Sequence, residues 1–74
     1  MDLAKTETSQ IVLNGEPRKA PSDLNIEQLL RWLEIDPSRV AVELNRSIVR
    51  KPEWQSLQVE GGAQVEVVWF VGGG

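Results

Sequence analysis

The composition of this 74-residue chain leaves only carboxylates, lysines, hydroxyls and the chain termini as groups that could take part in chemistry. The sequence contains no histidine, cysteine or tyrosine. A neutral-pH imidazole base, a thiol nucleophile, a disulfide and a thiolate metal site are therefore excluded, as is a Ser-His-Asp triad. We accordingly predict no catalytic and no metal-ligating residue, and we expect the chain not to be an enzyme.

The last three residues are Gly72, Gly73 and Gly74. One interpretation is a frayed end, in which glycine is common because it loses much entropy when it is ordered. The other is a thin tail that passes through a narrow channel and presents the Gly74 carboxylate to another enzyme. A carboxylate is a poor electrophile, so it would first need activation as an acyl phosphate or an adenylate. The tail would then be a substrate and not a catalyst.

Length and charge narrow the class of protein further. A chain of this size buries only about 60% of its unfolded surface, so we expect one thin core and no deep pocket. The formal charge of −3, from 8 basic and 11 acidic residues, argues against a nucleic-acid partner. No apolar run is long enough to span a membrane, and no signal peptide is recognisable. We therefore expect a cytoplasmic protein with no membrane partner.

The first half of the chain predicts a hairpin followed by a helix. Ile11–Leu13 is a short apolar strand, Asn14-Gly15 is a strong hairpin signal, and Glu16–Ala20 is the returning strand. A helix is predicted over Asn25–Glu34, and Asp36-Pro37 ends it. Asn25 and Gln28 have the spacing of a capping box, and Trp32 should pack at the rim of the core. The apolar stripe of the helix consists of Ile26, Leu29, Leu30 and Leu33.

The second half predicts further strands. These are Arg39–Leu44, Ser47–Val49 and Gln64–Val71, with Trp54 as an anchor in an irregular or single-turn segment between the last two. The order β-β-α-β-β-β predicts an α+β fold, a mixed sheet of four to five strands with one helix packed across one face. The opposite face of the sheet should be exposed to solvent or available to bind a partner.

The final strand alternates between the two faces of this sheet. Period 2 directs Val65, Val67, Trp69 and Val71 toward the helix, and Glu66, Val68 and Phe70 away from it. Val68 and Phe70 are the candidate partner-docking patch, since exposed apolar clusters often mark interaction sites. The alternative is an ordinary apolar strand end, or a cover formed by Trp54 or Trp69.

Three segments are expected from these patterns. Residues 1–9 are predicted to be a flexible N-terminal leader, residues 10–71 the folded domain, and residues 72–74 a flexible glycine tail. Ordered structure is thus expected to begin at Gln10.

Residues 10–74 resemble the ThiS family, the sulfur carriers of thiamine biosynthesis. The resemblance rests on the C-terminal run from Val65 to Gly74, the run from Ile11 to Pro17, the Leu29-Leu30 helix, and the block from Val40 to Asn45 followed by Ile48-Val49 and Trp54. It departs at two turns: the family usually has Asn-Gly where this chain has Asn45-Arg46, and an Asp-containing turn in place of residues 60–63.

The resemblance implies a ubiquitin-like β-grasp fold and a mechanism. An E1-like adenylating enzyme of the ThiF type would use Mg-ATP to adenylate the Gly74 carboxylate, with no cofactor bound by the chain itself. A desulfurase system would supply sulfur for a C-terminal thiocarboxylate, and a thiazole synthase of the ThiG type would accept that sulfur.

Two other functions remain open at this point. One is the sulfur carrier of molybdopterin synthesis, which shares the fold and the chemistry. The other is a ubiquitin-like modifier that forms isopeptide bonds to lysines, or a binding module that acts through Val68 and Phe70 with no acyl chemistry.

Overall fold

A computed structural model describes residues 7–71, in which one helix accompanies a five-stranded mixed sheet. In chain order the elements are β1 (Thr8–Leu13), β2 (Glu16–Pro21), α1 (Ile26–Trp32), β3 (Val40–Leu44), β4 (Ser47–Val49) and β5 (Gln64–Trp69). The spatial order of the strands is β2-β1-β5-β3-β4, and only the β1–β5 pair is parallel. This is the β-grasp arrangement, so the predicted fold class is confirmed.

The β1–β2 hairpin turns at the predicted residues. Asn14 and Gly15 have φ angles of 49° and 83°, the pair of positive values that a two-residue type I′ turn requires. Strand β1 begins at Thr8, however, so the expectation that ordered structure starts at Gln10 is wrong. Thr8 and Ser9 join the sheet because β2 continues to Pro21 and pairs with them, and these two strand residues lie within the predicted leader. The remainder of that leader up to residue 6 lies outside the described residues.

Helix α1 begins as predicted and ends earlier than predicted. The Asn25 side chain accepts a hydrogen bond from the Gln28 N–H at 2.7 Å, and the Gln28 side chain accepts one from the Asn25 N–H at 2.9 Å. The last helical residue is Trp32 and not Glu34. Glu34 instead adopts a left-handed conformation with φ of 62°, and the Ile35 N–H donates back to the Leu30 carbonyl, as in a Schellman motif.

The core lies between α1 and one face of the sheet. Trp54 anchors the connection from β4 to β5, because its ring is buried and its Nε1–H donates to the Val49 carbonyl at 2.9 Å. Trp32 lies at the rim as predicted, with the Arg18 guanidinium 5.6 Å from its ring centroid. The buried core residues are Ile11, Ala20, Ile26, Leu29, Leu30, Val40, Val42, Val49, Trp54, Val59, Ala63, Val65 and Val67.

Within residues 7–71, no helix has the length and apolarity that would be needed to cross a membrane.

Candidate functional site

The candidate site is the end of β5, which carries the chain out of the sheet toward the glycines. Val65 and Val67 are buried against the core, as their positions in the alternation predict. Val68 and Phe70 point to the face that lacks the helix, and 54% and 59% of their respective surfaces are exposed. Neither Trp54 nor Trp69 covers them to the point of burial. The two residues of the predicted docking patch are therefore accessible on the outer face.

Trp69 lies on the helix-side face as predicted, opposite the buried Val40, but neither Trp69 nor Val71 is buried. Trp69 is 51% exposed and Val71 is 95% exposed. Seven helical residues span about 10 Å, whereas the six residues of β5 span about 20 Å. Because the helix is only about half as long as the strand, it cannot cover the whole helix-side face of β5, and Trp69 and Val71 lie beyond the buried part.

One outward apolar residue was missed by sequence reasoning. Ile48 in β4 is 72% exposed and lies opposite Glu43 of β3 on the outer face. Glu43 in turn lies opposite Glu66 of β5, and Ala41 lies opposite Val68. A three-residue strand is too short for alternation to assign a face, so only the strand pairing reveals that Ile48 shares the face with Val68 and Phe70.

Two turn asparagines hold β5 from its two sides. On the β3 side, the Asn45 Oδ1 accepts from the Gln64 N–H at 3.0 Å and the Asn45 N–H donates to the Gln64 carbonyl at 2.7 Å. On the β1 side, the Asn14 N–H donates to the Val65 carbonyl at 2.9 Å. The Asn14 side chain then binds Val67 twice: Oδ1 accepts from its N–H at 2.7 Å, and Nδ2 donates to its carbonyl at 3.3 Å. The amide of Asn14 thus continues the ladder after β1 has turned away.

The charged groups with a displaced pKa lie away from the end of β5. Hydrogen bonds from Gln55 and Arg31 lower the pKa of Glu27 on the helix. Hydrogen bonds from the Ser38 N–H and hydroxyl lower the pKa of Asp36 at the start of the following 3-10 turn. Between residues 7 and 71, no group of three or more acidic side chains is arranged to hold a metal ion. In the described residues, the end of β5 therefore presents exposed apolar side chains and no metal-binding group of acidic side chains.

Gly72, Gly73 and Gly74 lie outside the described residues. The predictions that they form a flexible tail, and that Gly74 carries sulfur, therefore remain predictions. The structure places the start of this segment directly after the exposed residues Phe70 and Val71.

Known proteins resemble this chain along most of its length. The sequence model of the ThiS family matches residues 11–74. The crystal structure of the thiamine biosynthesis protein ThiS from Geobacter metallireducens superimposes with a TM-score of 0.78 at 31% identity, covering 88% of this chain and 99% of that one.

Two curated relatives are thiazole synthases. Those from Paramagnetospirillum magneticum and Magnetococcus marinus are each 40% identical to this chain over 65 residues. The aligned part is 88% of this chain and 20% of each relative, so the chain spans about a fifth of their length.

Proposed function

The chain belongs to the ThiS family of sulfur carriers in thiamine biosynthesis, and on this basis we propose that its Gly74 carboxylate carries sulfur as a thiocarboxylate. The observation that carries the proposal is the extent of the family match, which runs from β1 through Gly74 and so includes all three glycines. The relatives named for thiazole synthesis and the matched thiamine protein favour the thiamine pathway over molybdopterin synthesis.

The proposed chemistry proceeds in two displacements, the first at the α-phosphorus of ATP and the second at the Gly74 carbonyl carbon. A carboxylate oxygen attacks the α-phosphorus of Mg-ATP, pyrophosphate leaves, and an acyl adenylate forms. A hydrosulfide equivalent from a desulfurase system then attacks the acyl carbon, AMP leaves with one former carboxylate oxygen, and a thiocarboxylate remains. The chain has no histidine or cysteine, and we assign the groups that promote both steps to the partner enzymes. ATP and reduced sulfur are both available in the cytoplasm, where we place the reaction.

The outer patch, Val68 and Phe70, is the proposed docking surface for the adenylating enzyme and for thiazole synthase. Apolar surface that is exposed in the free protein gains free energy when a partner covers it. Both residues lie within six positions of Gly74, so an enzyme that holds them also holds the base of the tail. The carrier itself needs no pocket, since it contributes a stable sheet and an accessible carboxylate.

Pyrophosphate exchange tests the adenylation step. The ThiF-type enzyme of the same organism should exchange labelled pyrophosphate into ATP only when the intact chain is present. Removal of Gly74, or addition of one alanine after it, should abolish exchange while the melting temperature stays unchanged. Full exchange activity with either tail variant would contradict the role of Gly74.

A matched pair of variants tests the outer patch. Val68→Asp should weaken binding to the adenylating enzyme at least tenfold, because a carboxylate would be desolvated in an apolar contact. Leu57→Asp is the control, since Leu57 is partly exposed outside the strands of the sheet. Equal binding of the two variants, with both folded, would show that the outer patch is not the docking surface.

A further inference from the structure

One edge of β5 loses its neighbouring strand before β5 ends. In the antiparallel pairing with β3, the Gln64 carbonyl accepts from Asn45 and the Phe70 N–H donates to the Arg39 carbonyl at 2.9 Å. Because backbone groups alternate along a strand, the even-numbered residues of β5 direct their N–H and C=O groups toward β3. The odd-numbered residues Val65, Val67 and Trp69 therefore direct theirs toward β1.

Strand β1 and the turn residue Asn14 together satisfy only the first two of these residues. Its register with β5 stops at Leu13 opposite Val65, and the Asn14 side chain binds both backbone groups of Val67. The hairpin then turns at Gly15, so β1 extends no further. Among residues 7–71, no strand lies beside the N–H and C=O of Trp69 on this side. We call this stretch, Trp69 with the following Val71, the open β5 edge.

The same edge carries exposed apolar side chains. Trp69 and Val71 are two of the four residues that the alternation directs toward the helix, and both are exposed. A strand that paired with the open β5 edge would bring its own side chains beside the Trp69 ring, since neighbours on adjacent strands lie about 5 Å apart. An extended polypeptide could pair with the Trp69 N–H and C=O and also cover the exposed Trp69 and Val71 side chains.

We propose that the open β5 edge receives an extended segment of the enzyme that adenylates Gly74, which adds to the sheet as a strand. This inference rests on the proposed function. The enzyme that binds Gly74 is the occupant continuous with this edge, because Gly74 lies five residues beyond Trp69 and pairing at Trp69 would orient the chain that leads to it. Main-chain pairing at a sheet edge provides affinity in many peptide complexes. The Asn14 amide closes the edge at Val67 and so fixes where the added strand must stop.

Amide hydrogen exchange, followed residue by residue by NMR, tests the edge directly. In the free chain the Trp69 N–H should exchange rapidly, whereas those of Val67 and Phe70 should be protected. Saturation with the ThiF-type enzyme should slow exchange at Trp69 by at least tenfold. Protection of Trp69 in the free monomer, or no added protection in the complex, would overturn the inference. So would concentration-dependent protection without enzyme, since the occupant would then be a second copy.

A pair of variants isolates the backbone donor. Trp69→Ala removes the side chain and keeps the N–H, whereas Trp69→Pro removes both. Because the Trp69 N–H points away from β3, the proline should leave the β3–β5 ladder intact. Trp69→Pro should bind the enzyme about five- to tenfold more weakly than Trp69→Ala, the effect of one net hydrogen bond. Equal affinities of the two folded variants would overturn the inference, and the exchange experiment on the unmodified chain decides if Trp69→Pro does not fold.

Failure of the inference is distinguishable from failure of the proposed function. If the enzyme adenylates the chain while Trp69 stays unprotected and the two variants bind equally, the inference alone is wrong. If the unmodified chain neither binds the enzyme nor supports pyrophosphate exchange, the proposed function is wrong and this inference falls with it.

Discussion

Replacement of Asn14 by glycine tests how β5 is held in the sheet. Asn14 has a positive φ of 49°, and its side chain makes two hydrogen bonds to Val67. Glycine adopts positive φ without strain, so Asn14→Gly removes the side-chain bonds while it preserves the turn. Asn45→Gly is a matched control, because Asn45 has a φ of 51° and its side chain accepts one hydrogen bond, from Gln64.

The expected magnitudes follow from the number of bonds that each variant loses. A net hydrogen bond contributes about 1 kcal/mol to the free energy of unfolding. Asn45→Gly should therefore destabilise the protein by about 1 kcal/mol, and Asn14→Gly by about 1.5–2 kcal/mol, since its second bond is long at 3.3 Å. The added entropy of a glycine in the unfolded chain is common to both variants and cancels in the comparison.

Urea denaturation followed by circular dichroism measures the free energy of unfolding of both variants and of the unmodified chain. Thermal denaturation is a second measure, because 1 kcal/mol corresponds to a shift of about 4–8 °C in melting temperature for a domain of this size. The amide of Val67 should also exchange faster in Asn14→Gly and not in Asn45→Gly. If Asn14→Gly were as stable as the unmodified chain, or no less stable than Asn45→Gly, the Asn14 side chain would not be holding β5.

Three further perturbations probe the fold elsewhere. Leu30→Ala should cost about 2–5 kcal/mol in urea denaturation because Leu30 is fully buried; a loss below 1 kcal/mol would contradict its core position. Glu34 and Arg46 both hold positive φ (62° and 72°), which glycine adopts without strain. Glu34→Gly and Arg46→Gly should therefore each raise the free energy of unfolding by up to about 1 kcal/mol, and the melting temperature with it. No gain would show that neither backbone is strained. The hydrogen bonds from Ser38 hold the pKa of Asp36 below its usual value in the folded state. The stability that this gives is present above the unfolded-state pKa and is lost as pH falls through the folded-state pKa. In urea titrations between about pH 6 and about pH 2.5, the free energy of unfolding should therefore fall less for Asp36→Asn than for the unmodified chain. An equal fall in the two proteins would contradict this role.

Local signals in the sequence predicted much of the fold. Asn14-Gly15 specifies a turn that few other residue pairs can form, and Asn25 with Gln28 specifies a helix start, because both signals act over four residues or fewer. Alternation along the last strand correctly separated the buried Val65 and Val67 from the exposed Val68.

The features that failed or were missed depend on distant parts of the chain. Alternation assigns Trp69 to a face but cannot say that the helix is too short to reach it. Thr8 becomes a strand residue only through its pairing with Pro21, and Ile48 joins the outer face only through its pairing with Glu43. The bond between Asn14 and Val67 spans 53 residues, and no local pattern encodes it.

The most direct measurement of the central claim is the intact mass of the chain after incubation with the adenylating enzyme, Mg-ATP and a sulfur donor. We expect a species in which one oxygen is replaced by one sulfur, with fragmentation placing the exchange at Gly74. Omission of ATP should prevent the exchange. An unchanged mass, from an enzyme preparation that loads a ThiS protein of known competence, would contradict the claim that this chain carries sulfur on Gly74.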